Sequence, residues 1–180
     1  IYLFSIDLED IRDMIPNGRA LHERVPVNTH KYLDFLKKKQ AKITFFVVGD
    51  VARNYPELVQ QILSEGHEIA CHSDKHIPLD QLDEEALKRD LDANINALLK
   101  AGATNIQGFR APMFSITEKN TWVYQYLPQA GITYSSSVLP AKNFQYGWES
   151  FGKEPRVVEG VLELPMSVLD NRYLPYPFGG

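Results

Sequence analysis

Ile43-Thr44-Phe45-Phe46-Val47-Val48, Asn54-Tyr55-Pro56-Glu57 and Glu68-Ile69-Ala70-Cys71-His72 together decide how this chain folds. Every residue of the first run is β-branched or aromatic, the pattern of a strand buried on both faces. The second segment reads as a helix start, with Asn54 as N-cap, Pro56 in the first turn and Glu57 three positions after the cap. Leu58, Val59, Ile62 and Leu63 then recur at helical spacing, and Gly66 ends the helix. The third run is a short strand that delivers His72. A strand, a helix and a strand within about 30 residues make one right-handed parallel crossover.

The same alternation continues in both directions. Residues 1–6 read as a strand stopping at Asp7, and residues 29–39 as a helix whose apolar face is Tyr32, Leu33, Phe35 and Leu36. Downstream, residues 83–100 form an amphipathic helix with a stripe of Leu87, Leu91, Ile95, Leu98 and Leu99, closed by Gly102. Residues 106–109 read as a strand ending at Arg110, residues 117–127 as a helix, and residues 132–134 and 161–164 as further strands, with an irregular stretch over 140–156 between the last two. The fold class is therefore α/β with a parallel sheet, and periodicity alone leaves barrel and open sheet both standing.

Composition bounds the rest. The chain has 180 residues, 44% hydrophobic and 23% charged, which suits one globular domain and excludes a disordered tail or coiled coil. A net charge of −4, with no basic block beyond Lys37-Lys38-Lys39, argues against nucleic acid as a partner. The lone Cys71 cannot form an internal disulfide and is expected to face the core. No apolar run approaches the roughly 18 residues of a membrane helix. The chain opens on a strand-like run without a Met and stops at Gly180. The expected organisation is thus one domain over residues 1–180, truncated at its C-terminus, with residues upstream also missing.

The polar residues fall where strands end. Strand one runs into Asp7, Glu9 and Asp10, strand three into His72 and His76, and strand four into Arg110. In parallel α/β folds these C-terminal ends share one face, where active sites form. Two histidines four apart plus a carboxylate suit a catalytic divalent metal such as zinc. His22, His30 and His67 show no partner pattern and are expected at the surface.

These residues carry a family resemblance. Ser5-Ile6-Asp7-Leu8-Glu9-Asp10, Thr44-Phe45-Phe46-Val47, His72-Ser73-Asp74-Lys75-His76 and Phe109-Arg110-Ala111-Pro112 follow one another in the order and spacing of the polysaccharide deacetylases of carbohydrate esterase family 4, the NodB-homology domain. The chain resembles that family across most of its length. Residues 134–140, 162–167 and 174–180 are similar to deacetylases of bacterial exopolysaccharide or surface-glycan clusters, near the peptidoglycan-deacetylase and allantoinase-like branch. The resemblance implies an irregular (β/α) barrel with fewer than eight parallel strands.

It also implies removal of N-acetyl groups from amino sugars of a polysaccharide. A divalent ion, zinc foremost with cobalt, nickel or manganese as alternatives, would activate water and polarise the amide. By motif matching, Glu9, His72 and His76 are the expected ligands, with Asp10 open in place of Glu9. Asp7 is the expected general base, Arg110 the residue that keeps it ionised, and the backbone N–H of Met113 the oxyanion donor. Pro112, Phe114 and Trp148 are expected to touch substrate, and Tyr146, Phe151, Tyr173 and Tyr176 are further stacking candidates. The sequence departs from the family in three places. The second acid of the first motif is not adjacent to Asp7, Met113 precedes the aromatic Phe114, and the late Leu-x-His motif has no histidine in Leu162-Glu163-Leu164-Pro165-Met166. The general acid then comes from beyond Gly180, from another group, or is absent.

Two other functions fit the same fold: an allantoinase-like C–N hydrolase acting on a small cyclic amide, and a glycan-binding domain that keeps the metal without catalysis. A homo-oligomer is compatible with the sequence. Bacterial cytoplasm and cell envelope are both open as compartments.

Overall fold

The structure is a computed structural model that describes residues 3–142, 145–169 and 176–177. Six strands run parallel: β1 (Ser5–Leu8), β2 (Thr44–Val47), β3 (Glu68–Cys71), β4 (Gly108–Phe109), β5 (Tyr134–Ser135) and β7 (Val161–Glu163). The seventh, β6 (Arg156–Val158), lies antiparallel on β7, giving the sheet order β1-β2-β3-β4-β5-β7-β6. Among the described residues the sheet is open, with β1 and β6 at its edges. A separate antiparallel pair joins β8 (Val168–Leu169) to β9 (Tyr176–Pro177). No helix among the described residues is long and apolar enough to cross a membrane.

The helices are α1 (Val25–Lys39), α2 (Gly49–Asn54), α3 (Pro56–Ser64) and α4 (Glu84–Lys100). One apolar cluster joins α1, α2 and α3 to β1, β2 and β3 through Leu33, Leu36, Val51, Leu58, Ile62, Phe45 and Ile69. A second joins α4 to β4 and the 116–138 region through Leu87, Leu91, Phe109, Ile116, Tyr124 and Val138. Cys71 is buried and free.

Several elements differ from the sequence reading. The first strand begins at Ser5 and carries Asp7 inside it, because Ile6 and Leu8 pack on the helix-side core while Ser5 and Asp7 alternate to the other face. Helix α1 starts four residues before the expected 29, at Val25, whose side chain is buried and whose carbonyl accepts the Thr29 hydroxyl at 2.7 Å. Asn54 is the last residue of the unforeseen α2, and Tyr55 precedes α3 without a side-chain cap. The expected helix over 117–127 is instead two 3-10 turns, Thr121–Gln125 and Pro128–Ala130. Its β-branched and aromatic residues favour helix weakly, and Pro128 cannot continue one. The hairpin of β6 and β7 also went unforeseen; it turns at Glu159 and Gly160, both at positive φ.

One close approach shapes the inner face. Tyr134 pairs with Gly108, and a Cβ there would sit 2.3 Å from the tyrosine Cζ and hydroxyl oxygen. Glycine lets the phenol cross β4 and lie along the sheet.

Candidate metal centre

Strands β1 and β3, with β2 between them, run parallel, and the loops leaving their C-terminal ends bring three side chains together. The ligand atoms of Glu9, His72 and His76 all lie within 4.8 Å of one another. Oε2 of Glu9 is 2.6 Å from His76 Nε2 and 3.7 Å from His72 Nε2. The rings of His72 and His76 stand edge to face with centroids 5.0 Å apart.

The protonation of His72 follows from its other nitrogen. Nδ1 lies 2.7 Å from the backbone carbonyl of Arg110, which can only accept, so Nδ1 carries the hydrogen. In the neutral ring Nε2 is then a bare lone pair aimed at Glu9. Among the described residues, neither His72 Nε2 nor Glu9 Oε2, both buried, has an aligned hydrogen-bond partner. Burial pushes the Glu9 carboxyl up, and the two imidazoles beside it, when protonated, outweigh this and draw it down to about 2. An ionised carboxylate and imidazole lone pairs converging on one buried point is the donor set a divalent cation takes. The residues present fit such an ion.

Surrounding contacts hold each ligand. Asp10, the alternative carboxylate, points elsewhere: it accepts from Arg12 through the backbone N–H at 3.0 Å, Nε and Nη2, and its carboxyl is held below the usual range by that guanidinium. Asp10 therefore anchors the turn that presents Glu9. On the β3 side, Ser73 and His76 both adopt positive φ, and the Ser73 hydroxyl accepts the His76 N–H at 2.8 Å. Helix α4 supports this loop from beneath. The buried Asn94 amide donates to the carbonyls of Val47 and Ser73 at 3.0 and 2.6 Å, and Asp90 accepts the Asp74 N–H.

Beside the cluster stands Asp7. Its Oδ1 accepts from Arg110 Nη1 at 2.6 Å, and its Oδ2 is 3.9 Å from His72 Nε2. The Arg110 guanidinium also donates to the Ser5 hydroxyl, the Ser136 carbonyl and the Ser136 hydroxyl, each at 2.9 Å. The Phe46 ring lies 4.1 Å below it. Pro112, Met113 and Phe114 form a tight turn after β4, with Met113 and Phe114 at positive φ and Met113 41% exposed. The Phe114 ring is 5.4 Å from the guanidinium carbon.

The other expected site residues lie elsewhere. Trp148 packs on Phe151 at 4.9 Å between centroids and donates its indole N–H to Ser150. Tyr146 donates to Asp80 at 2.8 Å, and Phe151 is buried. Tyr173 and the side chain of Tyr176 lie outside the described residues. His67, expected at the surface, is buried: its ring meets Phe45 edge-on and its Nδ1 accepts the Ile43 N–H. Sequence reasoning missed Ser5, Ser136 and Asn94. Asn94 carries a legible signal, a polar residue at a core position between Leu91 and Leu98.

Comparison with known proteins finds relatives of this chain. The family model for polysaccharide deacetylase matches residues 16–135. The chain is 38% identical over 66 residues to a peptidoglycan-N-acetylglucosamine deacetylase of Bacillus cereus, covering 37% of this chain and 31% of that one. It is 34% identical over 76 residues to a chitooligosaccharide deacetylase of Rhizobium leguminosarum bv. trifolii, covering 42% and 35%. A Mycobacterium smegmatis structure, described only provisionally as a polysaccharide deacetylase, superposes with a TM-score of 0.73 at 26% identity, covering 92% of this chain and 58% of that one. The chain spans under half the length of the curated relatives it matches. With the family model covering most of its residues, the chain belongs to the polysaccharide deacetylase family.

Proposed function

We propose that this chain is a metal-dependent hydrolase that removes N-acetyl groups from the amino sugars of a polysaccharide. The observation that carries the reading is the convergence of Glu9, His72 and His76 beside the Arg110–Asp7 pair. The named activities of its relatives, on peptidoglycan and chitooligosaccharides, support a 2-acetamido sugar as the reacting unit.

Held by Glu9, His72 and His76, a divalent cation, zinc foremost, supplies Lewis acidity toward the amide carbonyl and toward water. Asp7 takes the proton of the attacking water, with Oδ2 free for this while Oδ1 stays on Arg110. The guanidinium orients the Asp7 carboxyl and fixes its rotamer. The backbone N–H of Met113 donates to the developing oxyanion, a contribution of about 3 kcal/mol for one such donor. Phe114, half-buried beside the Arg110 guanidinium, offers a surface for the sugar ring, whereas Pro112, expected to touch substrate, is buried. Glu163, which stands in the late motif, is not the acid: it is fully buried, with its oxygens taken by Ser137, Val138 and Tyr124.

The lack of a histidine in that motif favours one second reading, a domain that binds metal and glycan without turnover. Acetate release from N-acetylglucosamine oligomers, with allantoin as the competing substrate, separates these readings. The hydrolase reading expects acetate from the oligomers and its loss, by at least about 1,000-fold, in Asp7→Asn with metal content retained. Metal and glycan binding without acetate would establish the binding domain, and turnover of allantoin alone would redirect the substrate.

A further inference from the structure

We propose that Glu163 is a positioning residue for the Arg110–Asp7 pair, acting through the serine run 135–137. Its kinetic consequence rests on the deacetylase reading, and its structural one does not.

Glu163 is 0% exposed at the end of β7. Among the described residues its partners are N–H and O–H donors. Oε1 accepts the backbone N–H groups of Ser137 and Val138 at 2.7 and 2.9 Å, and Oε2 accepts the Tyr124 hydroxyl at 2.9 Å. Burying a carboxyl is costly, and charge-assisted bonds from three fixed donors offset that cost only where the loop is held in one conformation. The loop so held is the one that grips Arg110. Ser136 presents both its carbonyl and its hydroxyl to the guanidinium, and the Ser137 hydroxyl accepts the Ala111 N–H at 2.9 Å. Ser135 and Ser137 share a hydroxyl contact at 2.7 Å. The path from Glu163 to Asp7 thus runs through Ser137, Ser136 and Arg110, and avoids Glu9, His72 and His76. β7 thereby fixes a guanidinium that reaches across the sheet to β1.

The test follows solvent exchange of the Arg110 Nε–H by ¹⁵N NMR in the whole chain, its signal identified by loss in Arg110→Lys. Glu163→Ala is expected to speed exchange by at least about tenfold, because Ser136 no longer holds its acceptors in place. Glu163→Gln, which keeps an accepting oxygen for both backbone N–H groups, returns exchange to within about threefold of the parent. Unchanged exchange in a folded Glu163→Ala overturns the proposal. Should that variant fail to fold, Tyr124→Phe, which removes one donor from the carboxyl, decides: faster exchange supports the proposal and unchanged exchange overturns it. In the kinetic arm with N-acetylglucosamine oligomers, Glu163→Ala lowers kcat by ~10- to 100-fold with KM within about twofold and zinc uptake intact. A parent chain that releases no acetate sinks the deacetylase reading, and the exchange arm alone then judges the positioning role.

Discussion

His72 Nε2 and Glu9 Oε2 face each other at 3.7 Å, both buried and, among the described residues, both without an aligned hydrogen-bond partner. Two acceptors in that relationship repel unless a proton or a cation stands between them. The bond from His72 Nδ1 to the Arg110 carbonyl keeps the ring's hydrogen on the far side. The predictions below follow from what holds this pair in place.

Asp10 is expected to matter for metal affinity without touching the ion. Its carboxyl is clamped by Arg12, and that clamp orients the turn carrying Glu9. Asp10→Ala should weaken zinc binding by about 10- to 100-fold, the usual effect of losing a group that orients a ligand. Competition against a chromophoric chelator measures this, and an unaltered affinity would contradict the role.

Arg110→Lys is expected to behave as a severe change. A lysine ammonium cannot span Asp7, Ser5 and both Ser136 acceptors, whereas the guanidinium does so in one plane. Turnover should fall about 100-fold with zinc content unchanged. Equal turnover in the two proteins would remove Arg110 from the account of Asp7.

Gly108→Ala probes the fold behind the site. The added methyl would lie 2.3 Å from the Tyr134 ring carbon and hydroxyl, so the phenol must leave its seat. Overpacking of this kind costs about 1–3 kcal/mol, read as a lower urea midpoint with an unchanged slope. Gly108→Ala combined with Tyr134→Ala should recover part of that loss.

Asp90 sets a pH dependence of its own. Burial, outweighing the backbone N–H bonds it accepts, raises its carboxyl to about 6. The folded state therefore holds this proton more tightly than the unfolded chain does. Its contribution is fully present below about pH 4 and is lost as pH rises to about 6, a decline of about 3 kcal/mol. Asp90→Asn should flatten stability across that window in urea titrations with chelator present, and a persisting slope would assign it to another group.

Much of this was legible in the chain and some was not, for physical reasons. The strand runs at 43–48 and 68–71 and the stripe of α4 are dominated by burial, and burial periodicity is what sequence records best. The convergence of Asp7, Glu9, His72, His76 and Arg110 follows from parallel topology once those strands are placed. Motif matching chose Glu9 and left Asp10 open; the contact that draws Asp10 away, Arg12 folding back two residues onto it, was not legible. The short α2 and the 3-10 turns after Asn120 were equally hidden. Packing against α4 imposes the conformation of α2, and weak local helix preference leaves the 3-10 turns to be decided by packing. Glu163 looked like an ordinary strand residue, since its partners come from residues 124, 137 and 138.

The central claim is that Glu9, His72 and His76 together bind one divalent cation. Cobalt(II) titration of the chelator-treated protein, followed by its visible ligand-field bands and by calorimetry, tests this most directly. The account predicts one equivalent bound, with the bands abolished in His72→Ala and His76→Ala and affinity falling at least about 100-fold in Glu9→Ala. No uptake, or uptake that survives those substitutions, would contradict it.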